Sequence, residues 1–316
     1  SDETKEAMAH YKTIALFGLD NRSNGSLSKG NSDVIMLANI DTKQHTINLV
    51  SVYRDSYLDT GNGTYQKCNA AYAKGGPEQA LSMLNTNLDL AITDYVTVDF
   101  NAIIECVDLL GGVDITITDD EASLMIGYMK ELNELTGHNS TPPASGGTYT
   151  LDGVQACAYA RIRYGGGDDA KRTSRQRIVI NLMVQKLKQN PTKIPEILDK
   201  VMGNVSTSLT KNEILELGMH AVTYTMGTSY AYPFQLCYGE NVVNALGEDV
   251  VIPVTLEFNV RELHEYLYPG LSYEPSAAVT EYSDYIARKS GYDEDMIGYV
   301  LNQGPGAEAD SVIAGD

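Results

Sequence analysis

Arginine is concentrated in one short stretch of an acidic chain. The sequence holds nine arginines at a formal net charge of −19, and five of them lie in the seventeen residues RIRYGGGDDAKRTSRQR of the segment 161–177. The planar guanidinium group suits bidentate contacts with phosphate oxygens. The helix face expected here contains arginine but no glutamate, whereas a solvated face usually mixes lysine with glutamate. The stretch therefore indicates a phosphate-binding surface, with a solvated helix start held by salt bridges as the alternative.

The local pattern predicts an extended segment followed by a helix. Arg161 and Arg163 are two residues apart, so they share a side if the segment is extended. The glycines 165–167 interrupt it, and the pair Asp168–Asp169 is expected to cap a helix from about Arg172 to Gln189. Its polar face consists of Arg172, Arg175 and Gln176. A flexible hinge before the helix is the alternative role of the three glycines.

A second group of charged residues follows three predicted strands. Thr13–Gly18, Val34–Ile40 and Thr46–Val52 are short and apolar, which is typical of buried strands. If they run antiparallel in this order, the end of the first, the start of the second and the end of the third share one edge of the sheet. That edge would receive Asp20, Asp33, Arg54 and Asp55. Two carboxylates suit Mg²⁺, which completes its shell with water and phosphates, while turn chemistry is the alternative for each aspartate alone.

The remaining elements predict an α/β fold. Strands and helices alternate along the chain, which indicates a three-layer α-β-α sandwich with a central mixed or antiparallel sheet. An excursion at 119–149 is expected to contain a helix at about Glu121–Leu135 and then a loop. Leu151–Tyr159, as a helix or a strand, leads into the arginine stretch. A later helix, Asn259–Leu267, is expected to be capped by Asn259, and the final GPGAEADSVIAGD is expected to be disordered.

Composition and missing motifs exclude several classes of function. A pI of about 4.6 argues against general nucleic-acid binding, which needs a basic surface. The absence of a P-loop GxxxxGKS/T and of a GxSxG elbow argues against an ordinary nucleotide triphosphatase and against serine acyl transfer. The four cysteines lack zinc-site spacing, and their pairing stays open. No apolar run approaches the ~20 residues of a membrane span, and the polar start SDETKEAMAHYK is compatible with removal of a leader or anchor.

Short motifs, taken in order, resemble those of the LytR–CpsA–Psr family. They are Gly18–Arg22 (GLDNR), Ser32–Asp33, Ser51–Asp55 (SVYRD), Asn69–Tyr72 (NAAY), Leu110–Val113 (LGGV), Leu151–Ala156 (LDGVQA) and Arg161–Arg163 (RIR). The family signature Asp-x-x-Arg-x-x-Arg-Gln is matched by Asp169, Arg172, Arg175 and Gln176. The resemblance covers about Thr13–Leu187.

The chain departs from the family pattern at three places. Asn31 stands where an arginine is usual before Ser-Asp, and Tyr53 replaces the usual proline before Arg-Asp. The pair Ala170–Lys171 replaces a usual Phe-Gly. The changes at Asn31 and Tyr53 bear on substrate preference more than on the chemistry.

The resemblance implies a phosphotransferase of the cell envelope. Such proteins move a glycopolymer, for example teichoic acid or capsule, from a polyprenyl diphosphate carrier to a cell-wall sugar hydroxyl, commonly in peptidoglycan. The expected localisation is the outer face of the cell membrane, with an N-terminal transmembrane anchor that is not in this chain, and a monomer is expected. Residues 1–10 would then be a juxtamembrane remnant, 11–260 the catalytic domain and 261–316 a C-terminal extension.

The resemblance also assigns roles to the candidate residues. Asp20 and Asp33 would hold Mg²⁺, and Asp55 or Asp169 would accept the proton of the attacking hydroxyl, unless Asp55 only orients Arg54. The diphosphate would be bound by Arg22, Arg54, Arg161, Arg163, Arg172, Arg175 and Gln176. The catalytic set would be Arg54, Asp55, Asp169, Arg172 and Arg175.

An apolar lipid pocket between sheet and helices is the last implied feature. Its candidates, each of which alone is more readily explained as core, are Val96, Ile103, Leu182 and Leu217. Two other activities would use the same groups. One is hydrolysis of a polyprenyl-diphosphate sugar by a pyrophosphatase, and the other is non-catalytic binding of a polyprenyl phosphate lipid.

Overall fold

The structure is a computed structural model that describes residues 8–20, 27–28, 30–163, 169–238 and 249–302. Several predictions lie outside these ranges: the role of Arg22, the glycine hinge at 165–167, the cap at Asp168, most of the juxtamembrane remnant and the disordered end. Within the described ranges, every helix is too short or too polar to cross a membrane.

Strands and helices alternate as predicted. The strands in the described ranges are β1 (Tyr11–Leu19), β2 (Ser32–Asp41), β3 (Thr46–Val52), β4 (Tyr57–Asp59), β5 (Tyr65–Lys67), β6 (Asp94–Val98), β7 (Val113–Ile117), β8 (Gly147–Leu151), β9 (Val205–Thr207), β10 (Thr225–Met226), β11 (Tyr230–Tyr232), β12 (Gln235–Tyr238), β13 (Val251–Pro253) and β14 (Leu301–Asn302). The helices are α1 (Ala70–Leu88), α2 (Phe100–Leu109), α3 (Asp119–Thr136), α4 (Gly153–Arg161), α5 (Asp169–Gln189), α6 (Ile194–Val201), α7 (Lys211–Ala221), α8 (Leu256–Leu267) and α9 (Ala277–Ser290).

The chain folds into two compact units. The described residues of the first unit are 8–17, 28, 30–96, 226–238 and 249–302. Those of the second unit are 18–20, 27, 97–163 and 169–225.

The first unit is built on a mixed β-sheet. Strands β10, β3, β2, β1 and β6 lie side by side in this order, and β11 pairs with β3 in parallel. β2 and β3 are antiparallel, with Met36 opposite Ser51. The sequence pattern predicts a hairpin turn at residues 41–45. The Asp41 carboxylate closes this turn, because it accepts hydrogen bonds from the backbone N–H groups of Lys43 and Gln44. Helix α1 packs on β2 and on helices α8 and α9, so a mixed sheet flanked by helices confirms the predicted α/β class.

Helix α1 joins two helices that the sequence predicts separately. The expected segments Lys67–Ala73 and Pro77–Asn87 meet at Gly75 and Gly76, whose backbone angles are not helical. Gly76 has a φ of +67°, which glycine adopts without the steric cost of a Cβ. A Cβ there would also lie 3.2 Å from the carbonyl oxygen of Ser28.

Helix α8 begins earlier than predicted and has a different cap. Its N-cap is Thr255, whose hydroxyl oxygen accepts a hydrogen bond from the N–H of Phe258 at 3.2 Å. Asn259 lies inside the helix, where its side-chain amide binds both the N–H and the carbonyl of Gln235. The predicted cap at Asn259 is therefore wrong, because a tertiary contact with β12 uses the amide that a cap would need.

The second unit surrounds its own apolar core with helices α2 to α5 and the β7–β8 hairpin. The core includes Ile104, Val107, Val113, Met125, Met129, Leu132, Leu151 and Ile162. The predicted helix of the excursion is confirmed as α3, capped by Thr118 and Glu121 in a reciprocal capping box. The expected loop is shorter than predicted, since β8 pairs antiparallel with β7 and places Gly147 opposite Ile117.

The arginine stretch differs from the extended segment considered from sequence. Arg161 is the last residue of helix α4, and the buried Ile162 separates it from Arg163. The backbone is therefore helical at Arg161 and not at Arg163, and the two side chains contact different partners. Helix α5 is described from Asp169 and ends at Gln189, as predicted.

Candidate functional site

In the first unit, strand register brings Asp33 and Arg54 together. Strands β2 and β3 are paired with Met36 opposite Ser51. If this antiparallel register is extended by three residues, Arg54 lies opposite Asp33. The Nη1 atom of Arg54 lies 2.6 Å from Oδ1 of Asp33, a charge-assisted hydrogen bond. This confirms that Asp33 and Arg54 lie on the same edge of the sheet.

Asp55 and Lys67 complete this group, which we call the Arg54 cluster (Asp33, Arg54, Asp55 and Lys67). Oδ1 of Asp55 lies 3.2 Å from Nζ of Lys67, and its Oδ2 lies 3.7 Å from Nε of Arg54. The four side chains are 15–31% exposed, so solvent and ligand can reach them.

The backbone around Arg54 is held firmly. Its carbonyl accepts hydrogen bonds from the N–H of Asn69 at 3.1 Å and from the thiol of Cys68 at 3.4 Å. Burial raises the pKa of the Cys68 thiol, so the sulfur stays protonated and acts as a donor. The N–H of Tyr53 binds the carbonyl of Tyr232 on the neighbouring strand. The guanidinium of Arg54 therefore extends from a fixed point of the sheet.

In the second unit, Asp169 gathers two arginines. Its Oδ1 lies 3.0 Å from Nη2 of Arg172, one turn along the same helix, and 3.3 Å from Nη2 of Arg163. Asp169 is 3% exposed, and Arg172 is similarly buried. Two guanidinium groups therefore meet at one carboxylate oxygen, and the guanidinium group suits contacts with phosphate oxygens.

Arg175 is buried and bound to Glu121, a partner that the sequence did not predict. Its Nε donates to Oε1 of Glu121 at 3.0 Å, and its Nη1 donates to the carbonyl of Ile162 at 3.3 Å. The ring of Tyr159 lies 5.8 Å from the guanidinium carbon. Asp169, Arg172, Arg175 and Glu121 form what we call the arginine-helix cluster.

Arg161 lies between two carboxylates of the second unit. Its Nη2 is 3.2 Å from Oε2 of Glu131 and 3.6 Å from Oδ2 of Asp20. The rings of Phe100 and Tyr128 lie 4.8 and 5.5 Å from the guanidinium carbon, within cation–π range. Arg161 therefore lies within ion-pair distance of two carboxylates, one of which belongs to the predicted magnesium ligand Asp20.

The predicted magnesium ligands Asp20 and Asp33 fall in different units, and each lies beside a guanidinium group. Within the described ranges, three or more histidine, cysteine, aspartate or glutamate side chains nowhere converge as a metal site would require. Mg²⁺ is commonly held by only one or two carboxylates together with substrate phosphates. The carboxylate oxygens of Asp20 and Asp33 are therefore suitable ligands for Mg²⁺. A magnesium site formed by both residues stays a prediction.

A family model described as the LytR_cpsA_psr family matches residues 2–228 of the 316. The chain belongs to the LytR–CpsA–Psr family. The motifs that suggested this resemblance all lie within the matched range.

Relatives and solved structures agree with this membership. The polyisoprenyl-teichoic acid–peptidoglycan teichoic acid transferase TagU of Enterococcus faecalis is 30% identical over 211 residues, which cover 66% of this chain and 64% of TagU. Biofilm regulatory protein A of Streptococcus mutans is 32% identical over 219 residues, covering 65% of this chain and 52% of that protein. The match thus spans between half and two thirds of these relatives. The structure of TagT bound to LI-WTA has the same fold, with a TM-score of 0.64 at 22% identity over 83% of this chain and 90% of TagT.

All four residues of the Asp-x-x-Arg-x-x-Arg-Gln signature lie on helix α5, where Gln176 is half-buried beside Arg175. Four residues that contact the candidate side chains lie outside the family motifs: Lys67, Glu121, Tyr128 and Glu131. Only Glu121 had a local signal, since Thr118 three residues earlier makes a capping-box pattern. That pattern predicts the helix start but not the bond to Arg175, which lies 54 residues further along the chain.

The predicted lipid-pocket residues Val96, Ile103, Leu182 and Leu217 are half-buried, not fully buried. Ile103 and Leu182 pack at the margin of the second unit's core. A cavity of about 360 Å³ in the first unit is lined by other residues, among them Tyr11, Leu90, Ile92, His264, Tyr268 and Tyr273. The lipid pocket therefore stays a prediction, and the four half-buried apolar residues are its candidates.

Proposed function

We propose that this protein is a magnesium-dependent phosphotransferase that moves a glycopolymer from a polyprenyl diphosphate carrier to a sugar hydroxyl of peptidoglycan. The observation that carries the proposal is the contact of Asp169 with Arg163 and Arg172 through one oxygen atom, which brings two guanidinium groups together in a chain of net charge −19. The names of TagU and of TagT bound to LI-WTA support a wall-polymer substrate.

The second unit supplies the groups for phosphate binding. Arg163 reaches Asp169 from a side chain that is 31% exposed, so part of this side chain is accessible to a ligand. Arg172 and Arg175 project from α5 about one turn apart, and both are held by carboxylates. Guanidinium groups fixed in this way stabilise charge that develops on phosphate oxygens without reorganising.

The first unit supplies a charge-stabilising arginine and an accessible base. Arg54 would contact a phosphate oxygen, and the carboxylate of Asp55 would accept the proton of the acceptor hydroxyl. Asp55 is preferred to Asp169 because its side chain is 15% exposed, against 4% for Asp169. The hydroxyl oxygen bonds to the sugar-side phosphorus, the bond from that phosphorus to the bridging oxygen breaks, and the lipid monophosphate leaves.

Mg²⁺, held through carboxylates such as Asp20 and Asp33, would neutralise the diphosphate charge. Asp20 lies 3.6 Å from Nη2 of Arg161, which also contacts the carboxylate of Glu131 at 3.2 Å. Chelation of divalent ions is expected to stop transfer, and added Mg²⁺ is expected to restore it.

Half-buried apolar residues support binding of the polyprenyl chain. Helix α7 carries Ile214, Leu215 and Leu217, yet none of its residues is fully buried. An apolar helix face that remains partly open is typical of a surface that meets an apolar ligand. The proposal assigns this role to α7 together with Ile103 and Leu182.

The deciding experiment incubates the protein and Mg²⁺ with a polyprenyl-diphosphate-linked saccharide, with and without a peptidoglycan acceptor. Transfer predicts a new glycan product and lipid monophosphate only when acceptor is present. Release of lipid monophosphate without acceptor would instead identify a hydrolase. Lipid binding without any product, unchanged by chelation, would identify a non-catalytic carrier and refute the proposal.

The proposal also assigns the protein to the outer face of the cell membrane, held by an N-terminal anchor, as a monomer. The donor is linked to a membrane lipid and the acceptor is peptidoglycan, and the two meet at the outer face of the membrane. Fractionation of cells that express the whole gene product is expected to find it in the membrane and accessible to added protease.

A further inference from the structure

Helix α3 contacts two of the candidate arginines through glutamates near its two ends. Glu121 binds Arg175 of α5, and Glu131 binds Arg161 of α4. The two glutamates are ten residues apart, which is about 15 Å along a helix. The helix thus contacts both elements that carry the arginine stretch.

Glu121 uses both of its carboxylate oxygens. Oε1 accepts from Nε of Arg175 at 3.0 Å, while Oε2 accepts from the backbone N–H of Thr118 at 2.9 Å. The carboxylate is therefore anchored to the start of α3 and cannot follow Arg175 if that side chain moves. Because Arg175 is 6% exposed, its charge needs this partner to remain buried.

Glu131 and Tyr128 act together on Arg161. They are three residues apart, so they share one face of α3. The carboxylate of Glu131 lies 3.2 Å from Nη2 of Arg161, and the Tyr128 ring lies 5.5 Å from its guanidinium carbon. With the Phe100 ring at 4.8 Å, the Arg161 side chain is restricted from several directions.

We propose that α3 is the positioning element of the arginine site, with Glu121 as the positioning residue for Arg175 and Glu131 as that for Arg161. The inference rests on the proposed function for its consequence in turnover. It gives the excursion at 119–149 a role: the helix holds phosphate-binding guanidinium groups in the geometry that transfer needs. A small displacement of such groups lowers the rate by up to about 100-fold.

The first test follows Arg175 directly. The variant Glu121→Gln preserves the capping box, because glutamine serves at this helix position, but it removes the charge that faces Arg175. The NMR signal of the Arg175 Nε–Hε group is expected to be distinct in the unmodified protein and averaged in Glu121→Gln. Glu134→Gln, at an exposed position of the same helix, is the matched control and is expected to keep the signal.

The second test measures turnover in the assay of the proposed function. Glu121→Gln and Glu131→Gln are each expected to lower kcat by roughly 10- to 100-fold, with KM changed less, while Glu134→Gln has no effect. If Glu121 acts through Arg175, Glu121→Gln causes no further loss in an Arg175→Ala background, because the two residues act as one unit.

Two results would overturn the inference: an unchanged Arg175 signal in Glu121→Gln, or a loss of turnover that persists undiminished in the Arg175→Ala background. If the unmodified protein neither transfers nor hydrolyses the polyprenyl substrate, the proposed function fails. The positioning of Arg175 is then judged by the NMR comparison alone.

Discussion

The Arg54 cluster and the arginine-helix cluster contain the same kinds of side chain in different surroundings. In the first, side chains are 15–31% exposed and flank strands that pair in simple register. In the second, the side chains of Asp169, Arg172, Arg175 and Glu121 are only 4–11% exposed. A partly exposed ion pair is screened and adaptable, whereas a buried one holds its geometry because separation is costly.

The difference in burial suggests a division of labour. Asp55 and Arg54 are accessible enough to exchange a proton and to meet a ligand. Arg172 and Arg175 are held by carboxylates on the protein side, so they are already oriented before a ligand binds. Preorganised donors of this kind lose little when charge develops on a substrate.

The strongest test of the comparison removes one carboxylate from each cluster. Asp169→Asn leaves Arg172 as a buried charge without its carboxylate and is expected to lower the free energy of unfolding by about 3–5 kcal/mol. Asp33→Asn, in the half-exposed cluster, is expected to lower it by at most about 1 kcal/mol. Denaturant unfolding measures both. Equal losses would mean that burial does not distinguish the clusters.

The next test separates chemistry from stability. Arg54→Ala is expected to reduce kcat/KM for transfer by about 100- to 1,000-fold, because it removes a charge-stabilising donor. The thermal midpoint should stay close to that of the unmodified protein. Arg175→Ala is expected to lose activity and stability together, since Glu121 is then left buried without its cation. Arg261→Ala, which breaks only exposed ion pairs, serves as the control.

Acid should weaken the first unit through a buried histidine. Burial lowers the pKa of His264, whose ring stacks on Tyr273 at 3.6 Å and binds the carbonyl of Leu88. A folded pKa below the unfolded value of about 6.5 means that the unfolded chain binds more protons, so stability is present above that pH and falls as pH decreases below it.

The expected cost is about 1.4 kcal/mol for each pKa unit of the shift. Urea unfolding above and below a pH of about 6.5 should show the loss of unfolding free energy. The variant His264→Phe should remove that part of the pH dependence. His220→Gln, at an exposed site, should leave it unchanged. Retention of the full acid dependence in His264→Phe would assign it to other groups.

The smallest expected effect tests the identity of the base. Lys67→Met removes a cation 3.2 Å from Asp55 and is expected to change the unfolding free energy by less than about 1 kcal/mol. If Asp55 is the base, loss of the cation that holds its carboxylate is expected to lower kcat for transfer, with KM changed less. Lys211→Met, which breaks an exposed pair with Asp199, is the control, and an unchanged kcat in Lys67→Met would point away from Asp55.

Sequence patterns predicted the Arg54 cluster better than the arginine-helix cluster. Period and turn residues identified β2, β3 and their hairpin, and antiparallel pairing then requires Asp33 and Arg54 to be neighbours. Helix α5 was also predicted from its arginines and its apolar face. Glu121 and Glu131 could not be predicted as partners, because helix packing, and not local spacing, sets which residues of two helices meet.

Local preference also failed where tertiary contacts use the same atoms. Asn259 is a good helix cap by type, yet its amide binds Gln235 and Thr255 takes the cap. Arg161 looked like part of an extended segment, yet the capping box at Asp152 and Gln155 starts a helix that includes it. The first error came from a contact with a distant residue, and the second from a local capping signal whose helix extends as far as Arg161.

By itself, the sequence determined the α/β class, the two arginine-bearing segments and the family to which this chain belongs, because these depend on periodicity and on the order of short motifs. The tertiary structure alone decided which carboxylate each guanidinium meets and how deeply each pair is buried. Those outcomes follow from long-range packing of helices and strands, whose contacts join residues too far apart in the chain for any local pattern to record.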